Sequence, residues 1–463
     1  MNLPSRVLRT ELRRSVAPWA GAVVLAAALA FLELAHGPWS TGTTRWTAQW
    51  TSMALWTRHL LVFLWPLALG LGALQGLRDH RSGTVELLAT TPRPARHRAA
   101  ALVAPTALAV AAAFGVLVLL GAVRVLAGGA ASTGAGWLPI SLVGALALAA
   151  GAVLGVGVAR TLPSALTPPA LAVAGFALTN VLRQTTDAAV PASAVPNRLS
   201  LLSPTVADVR QTLFTLSAPV HLGQTLWLLG LAGTGLALLT AGTRRARLLA
   251  LTPLLAGAAL ALPLLPADPR DTYVLDRAAT TRVCDGPVCV TAAHRARLDE
   301  LAGPGRDALG LLRGALGDRA PATVHETTTP RAIGDTPERP YEALLVDFDD
   351  AVIGAAGGPE LTRALVGQGI APLCSPRGDR ESGTLPETVA QSIAAAWALG
   401  DEPRPLDGTM HRAQDQAELA APAWRAFSAL PPAEQRQRIV ALHTAAVACT
   451  DDPLDVLAGG ASR

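Results

Sequence analysis

Of the 463 residues 51% are hydrophobic and 16% charged, and the mean hydropathy is +0.36. Residues 1–266 carry 19 Arg against 6 acids, net +13, whereas residues 267–463 carry 19 Arg against 28 acids, net −9, so the formal +4 conceals two differently constituted parts. The apolar excess is concentrated in residues 16–266, which excludes an ordinary water-soluble chain and points to an integral membrane protein with a polar C-terminal domain.

Seven stretches reach the roughly 20 apolar residues that a helix needs to cross a bilayer core: 16–35, 60–77, 100–126, 138–159, 162–182, 222–241 and 248–266. Ahead of them, residues 1–15 read as an amphipathic helix, with Leu3, Val7, Leu8 and Leu12 spaced to lie near one face. The basic lead "RVLRTELRRS" also suits a signal peptide. However, the apolar run after it is long and "ELAHGPWSTG" offers no small-residue cleavage site, so the first span is read as retained. Arginines in short loops set orientation. With the N-terminus in the cytoplasm, Arg6, Arg9, Arg13, Arg14, Arg78, Arg81, Arg93, Arg96, Arg98, Arg160, Arg244, Arg245 and Arg247 face inward and six others face outward. An odd number of spans then carries residues 267–463 to the far side. Small residues in "GALALAAGAVLGVGVA" allow close helix approach. Glu33, Arg124 and Arg183 fall near the outer span ends and read as interface anchors.

Between the second and third spans lies "LQGLRDHRSGTVELLATTPRPARHR", in which five Arg and two His surround only two acids, Asp79 and Glu86. Gly83 supplies a turn residue. Thr84 is a suitable N-cap for "VELLATT", with Glu86 near the positive end of a two-turn helix that Pro92 and Pro94 terminate. Such a helix offers Val85, Leu87 and Leu88 beside charges to a soluble partner. A purely positive-inside anchor would need only the arginines.

This stretch resembles the loop after the second span in permease subunits of the second class of ABC exporters. The N-terminal "LPSRVLRTELRRS" is similar to that family's elbow helix, and "LSLLSPTVADV" (residues 199–209) resembles its re-entrant hairpin; the resemblance covers about residues 1–245. It implies that Arg78, Asp79, Arg81, Gly83, Thr84, Glu86, Leu87, Leu88 and Thr91 form a coupling site for a separate ABC ATPase subunit. It implies in addition a second permease copy or a sister permease as partner within the lipid bilayer. The chain has no Lys and no G-x-x-x-x-G-K-[ST] loop, so ATP and Mg would be bound by the partner and this chain holds no cofactor of its own. Nothing points to nucleic acid. The added seventh span and the C-terminal domain depart from the family's six-span unit and leave the cargo open.

In residues 267–463, "TRVCDGPVCVT" and "YEALLVDF" read as strands. Helices are expected over 292–316, 359–368, 386–399, 414–430 and 432–449. All four cysteines, Cys284, Cys289, Cys374 and Cys449, lie in this part, which fits an oxidising compartment. A local Cys284–Cys289 bridge with a long-range Cys374–Cys449 bridge is the favoured pairing. Four buried thiols remain an alternative, and zinc-ligand spacing is lacking. His294, His325, His411 and His443 invite a catalytic reading, but there is no H-E-x-x-H helix and no G-x-S-x-G elbow. Asp347, Asp349 and Asp350 form a candidate cation or acid site, or simply a strand end with helix-start acids. His443 and Cys449 are six residues apart, neither i+3 nor i+4.

The expected architecture is an all-α polytopic membrane domain of seven helices with a C-terminal extracytoplasmic, mainly helical α+β domain. Its boundaries are an elbow helix over 1–15, a transmembrane domain over 16–266 and a disulfide-containing domain over 267–463. The expected function is a permease subunit of an ATP-driven exporter, not itself an enzyme, in the cell membrane. The alternative is a membrane-anchored extracellular receptor or enzyme, for example a peptidase-like domain, whose spans are mainly an anchor.

Overall fold

The computed structural model describes residues 15–35, 37, 39–40, 45–81, 95–130, 135–183, 195–205, 213–329, 340–374, 377–378 and 381–459. The chain divides into an apolar unit that ends at Asp276 and a C-terminal unit formed mainly by Arg277–Arg463.

The apolar unit contains helices α1 (Ala17–Leu34), α2 (Trp50–His59), α3 (Leu61–Gly76), α4 (Arg78–Arg81), α5 (Ala95–Ala127), α6 (Trp137–Thr161), α7 (Thr167–Arg183), α8 (Asn197–Ser200), α9 (Ala218–Thr240), α10 (Arg244–Leu249) and α11 (Thr252–Leu264). Among the described residues five helices are long and apolar enough to cross a membrane, or six if α2 and α3, bent by 50° at Leu60, are one span. Helix α3 matches the expected 60–77; counted together with α2 the stretch begins at Trp50. The fifth is a shorter apolar helix that starts at Thr167 rather than at 162, because Pro163 and Ser164 lie outside the helix and Ala165 and Leu166 form a turn closed by the Thr167 N–H on the Ser164 carbonyl. Leu119, Val123, Val173 and Leu255 are exposed. An outer face of this kind suits lipid better than water.

Direction alternates along the chain, and close backbone contacts record it. Gly72 lies against Ala152 and Gly76 against Val156, while Val220 clusters with Ile140 and Gly235 lies against Val153, so α3, α6 and α9 run the same way. Phe114 meets Gly144, and Val103 clusters with Val153 and Val156, so α5 runs opposite to α6. Gly175 against Pro66 and Gly70 against Pro168 make α7 antiparallel to α3; Gly230 against Pro253 and Gly223 against Leu265 do the same for α11 and α9. A side chain at Gly72 or Gly155 would place its Cβ 2.1 Å from a carbonyl oxygen of the facing helix, so these backbones touch only because the residues are glycine. Strands β1 (Phe214–Leu216) and β2 (Tyr273–Leu275) pair antiparallel and tie the entry of α9 to the chain beyond α11.

The C-terminal unit is built on a sheet of order β3-β4-β5-β6, with β3 (Arg282–Asp285), β4 (Val288–Thr291), β5 (Thr323–Glu326) and β6 (Ala343–Val346). The β3–β4 hairpin is antiparallel and the other pairings are parallel. Helices α12 (Leu298–Leu316), α13 (Ala351–Ala355), α14 (Gly358–Ile370), α15 (Leu385–Leu399), α16 (Ala413–Ser428), α17 (Pro432–Ala448) and α18 (Pro453–Ala458) complete it, with a short β7–β8 pair (Arg377–Gly378 and Glu381–Ser382) between α14 and α15. Leu301, Ala308, Leu309, Leu312 and Leu316 recur at helical spacing along α12 and pack with Val288, Val324 and Val346 in one core. Thr384 and Glu387 form a capping box at the start of α15, and Gly400 ends it in the left-handed conformation. The expected strands and five expected helices are present, except that the first helix starts at Leu298 rather than at 292, because residues 292–297 form a 3-10 segment kinked at His294. β5, "TVHE", was not anticipated, since four residues with a central His carry too little periodicity to be read as a strand.

Candidate functional site

The elements around the expected coupling loop meet at one end of the apolar unit. Leu77, at the end of α3, clusters with Ala159 at the end of α6 and with Leu171 in α7. The side-chain amide of Gln75 donates to the Leu102 carbonyl near the start of α5. Arg78, Asp79 and Arg81 fall on α4, the single turn that leaves this corner, and α5 begins again at Ala95. Gly83, Thr84, Glu86, Leu87, Leu88 and Thr91 lie outside the described residues, as do Leu3, Val7, Leu8 and Leu12 of the expected elbow helix. Arg160 closes α6 at the same end, and the exposed Arg244, Arg245 and Arg247 sit on α10, directly after α9. The hydroxyl of Thr243 caps α10 by accepting from the Ala246 N–H at 3.2 Å.

The opposite end is marked by aromatic rings. Trp50 stacks on Trp137 at 5.1 Å, Trp39 packs on Trp56, and the Arg124 guanidinium lies over the Trp46 ring at 5.4 Å. Arg124 is ion-paired with Glu33, so two of the three expected interface anchors hold α5 and α1 to each other. Tryptophan belts of this kind belong at a bilayer surface.

Just inside the Trp-rich end lies a buried polar centre that the sequence reading missed. Arg58, fully buried, donates from Nε to the Pro204 carbonyl at 2.7 Å, from Nη1 to the Ile140 carbonyl at 3.1 Å and from Nη2 to Gln224 Oε1 at 2.8 Å. Gln224 Nε2 in turn donates to the carbonyls of Leu201 and Ser203 at 3.0 and 3.1 Å. The break at Leu60 contributes as well. Phe63 N–H bonds to Leu60 rather than to His59, and the His59 carbonyl so released accepts from the Thr205 hydroxyl at 3.1 Å. A guanidinium in an apolar interior is tolerated only when its donors are satisfied. The available signal was an Arg two residues ahead of the expected second span; extending that span by one α-helix places it inside.

In the C-terminal unit the four cysteines form Cys284–Cys289 and Cys374–Cys449, the favoured pairing. The histidines are not brought together. His294 Nδ1 is 2.5 Å from Glu326 Oε1, His325 is on β5, His411 Nε2 meets the Gly383 carbonyl and His443 Nδ1 meets the Ile370 carbonyl. Cys449 is held in its disulfide, so it shares no chemistry with His443. Of the aspartates, Asp347 Oδ1 accepts from the Asp349 N–H at 2.7 Å and Asp350 caps α13 through the Val352 N–H at 2.9 Å. They shape a turn and start a helix. Among the described residues no cluster of His, Cys, Asp and Glu has metal-binding geometry. Glu326 Oε2 accepts from the Thr291 N–H at 2.6 Å, which fixes the carboxylate against His294. This pair was invisible in the sequence because 32 residues separate its members. A cavity of about 340 Å³ beside the second disulfide is lined by Cys374, Thr384, Glu387, Cys449, Asp451 and Asp452.

No family model, no curated protein and no solved structure matches the chain.

Proposed function

We propose that this chain is the membrane-spanning permease subunit of an ATP-driven exporter of the second ABC class, coupled through residues 78–92 to a separate ATPase. The observation that carries the reading is the corner at Leu77. The alternating helices bring both shoulders of the loop, Arg78 and Ala95, to the same end as Arg160. A loop anchored at both shoulders transmits a push at its tip to α3 and α5 together. Arg244, Arg245 and Arg247 follow α9 on the same side, and the positive-inside rule makes that side cytoplasmic. On this reading the bundle has seven spans, with α7 and the α10–α11 pair included, and the C-terminal unit is extracytoplasmic, where its disulfides persist. A second permease copy completes the pathway, and ATP and Mg sit on the partner.

The test is copurification in mild detergent of the tagged chain with and without Glu86→Arg. An ATP-binding subunit is expected with the native chain and is lost, at least about tenfold, with the charge-reversed one, a change of about 1.4 kcal/mol in association. Equal recovery from both chains would sink the assignment. Recovery from neither, with the protein intact, would move the function to the C-terminal unit.

A further inference from the structure

The buried polar centre has a specific object. Residues 201–205 lie between α8 and β1, outside any regular helix or strand, yet Leu201, Ser203, Pro204 and Thr205 are all buried. Backbone carbonyls in a turn of this kind have no helical partner and must find one elsewhere. Arg58 supplies one for Pro204, and Gln224 supplies one each for Leu201 and Ser203. Arg58 also holds Gln224 in place through its Oε1, and Thr205 closes the seam against the broken span. Below the turn, the side-chain amide of Asn197 donates to the Pro266 carbonyl and Arg198 donates to that of Leu265, so the far shoulder is hung from the chain after α11.

We propose that Arg58 is the positioning residue for segment 197–205, a bolt that keeps this segment seated over the bend between α2 and α3, and that the segment is a gate at the Trp-rich end of the apolar unit. The bolt rests on the hydrogen bonds alone. The transport role of the gate rests on the exporter reading. Four segments, α2, α6, the 201–205 turn and α9, meet at one guanidinium, with sequence separations of 82, 146 and 166 residues. Withdrawal of that one group therefore releases the Pro204 carbonyl and, in the same step, takes away the anchor of Gln224, which holds Leu201 and Ser203. The planar fork of Arg reaches three acceptors in different directions, which the point charge of Lys cannot reproduce.

The test uses the full chain in cells. All native cysteines are in disulfides, so Ser203→Cys, at a position 2% exposed, adds one reportable thiol. An impermeant maleimide added from outside is expected to label Ser203→Cys slowly in the Arg58 chain. Labelling rises about tenfold or more when Arg58→Gln or Gln224→Leu is added, and Arg58→Lys falls between, as expected for a local opening with fewer bonds to break. A second reporter, Thr179→Cys on α7, is fully buried and its hydroxyl donates within its own helix, to Gly175 and Phe176; it stays protected in every chain. Unchanged protection of Ser203→Cys in Arg58→Gln overturns the proposal. So does equal exposure of both reporters, which would make Arg58 a support of the whole bundle. ATP depletion separates the two readings. Arg58-dependent labelling that also responds to ATP supports bolt and exporter together. Arg58-dependent labelling indifferent to ATP keeps the bolt and removes the exporter.

Discussion

Burial alone would lower the pKa of His294, but the hydrogen bond to Glu326 and its charge, with Asp349 and Asp347 behind, hold the imidazole above its ordinary value. A histidine whose folded-state pKa is raised stabilises the fold fully below the unfolded pKa of about 6.5, and that contribution is lost as pH rises through the folded value. Glu326→Leu should therefore cost the C-terminal unit about 3–5 kcal/mol near pH 5, where it strands a buried imidazolium. The penalty should shrink as pH rises, leaving the smaller loss of the Thr291 N–H acceptor. Urea-dependent pulse proteolysis of the full chain over a pH series measures it; a penalty that does not change with pH would mean that the pair is not charged. The same scale shows why the four histidines could be named in the sequence but not sorted. His294 earns its shift from a partner 32 residues away, whereas the hydrogen bonds of the His411 and His443 rings go to main-chain carbonyls.

At the scale of elements, glycine has two opposite meanings in this chain. In α12, Gly310 faces open space, whereas a Cβ at Gly305 would lie 3.0 Å from a methyl of Val288. Gly310→Ala should raise the stability of the C-terminal unit by about 0.5–1 kcal/mol through helix propensity alone. Gly305→Ala should show no gain, because the tight contact with β4 offsets it. Thermal unfolding of the two single variants decides this, and an equal rise in both would show that the sheet yields at Val288. The helices themselves were readable wherever apolar residues followed a helical period, as in "LPPAEQRQRIVALHTAAVAC", expected over 432–449 and found as Pro432–Ala448. The α2–α3 break was not readable. Pro66 lies six residues below Leu60, and the bend is completed by the Thr205 hydroxyl, which no local pattern announces.

For the whole molecule, the two disulfides restrain very different lengths of chain. Cys374–Cys449 spans 75 residues and joins the segment after α14 to the end of α17, while Cys284–Cys289 spans 5 and staples one hairpin. Loop closure assigns about 4 kcal/mol to the first and about 2 kcal/mol to the second. Cys374→Ser with Cys449→Ser should therefore lower the urea midpoint of the C-terminal unit by roughly twice as much as Cys284→Ser with Cys289→Ser. The opposite order would show that the hairpin bridge maintains native packing as well as limiting the unfolded chain.

Hydropathy, charge count and cysteine placement by themselves determined that an apolar, Arg-rich helical part precedes a polar part that holds all four cysteines, because each is a property summed along neighbouring residues; the two bridges are seen in the tertiary structure. The Gly-Thr-x-Glu-Leu-Leu stretch is likewise a local pattern, and the proposed coupling to a partner rests on it. Only the tertiary structure decided which helices touch through glycine, that Glu33 answers Arg124, that Glu326 answers His294 and that Arg58 belongs inside the bundle. The reason is distance along the chain. A buried charge is acceptable only where its partners converge, and for Arg58 they arrive from 82 to 166 residues away, a separation at which local sequence carries no information about pairing.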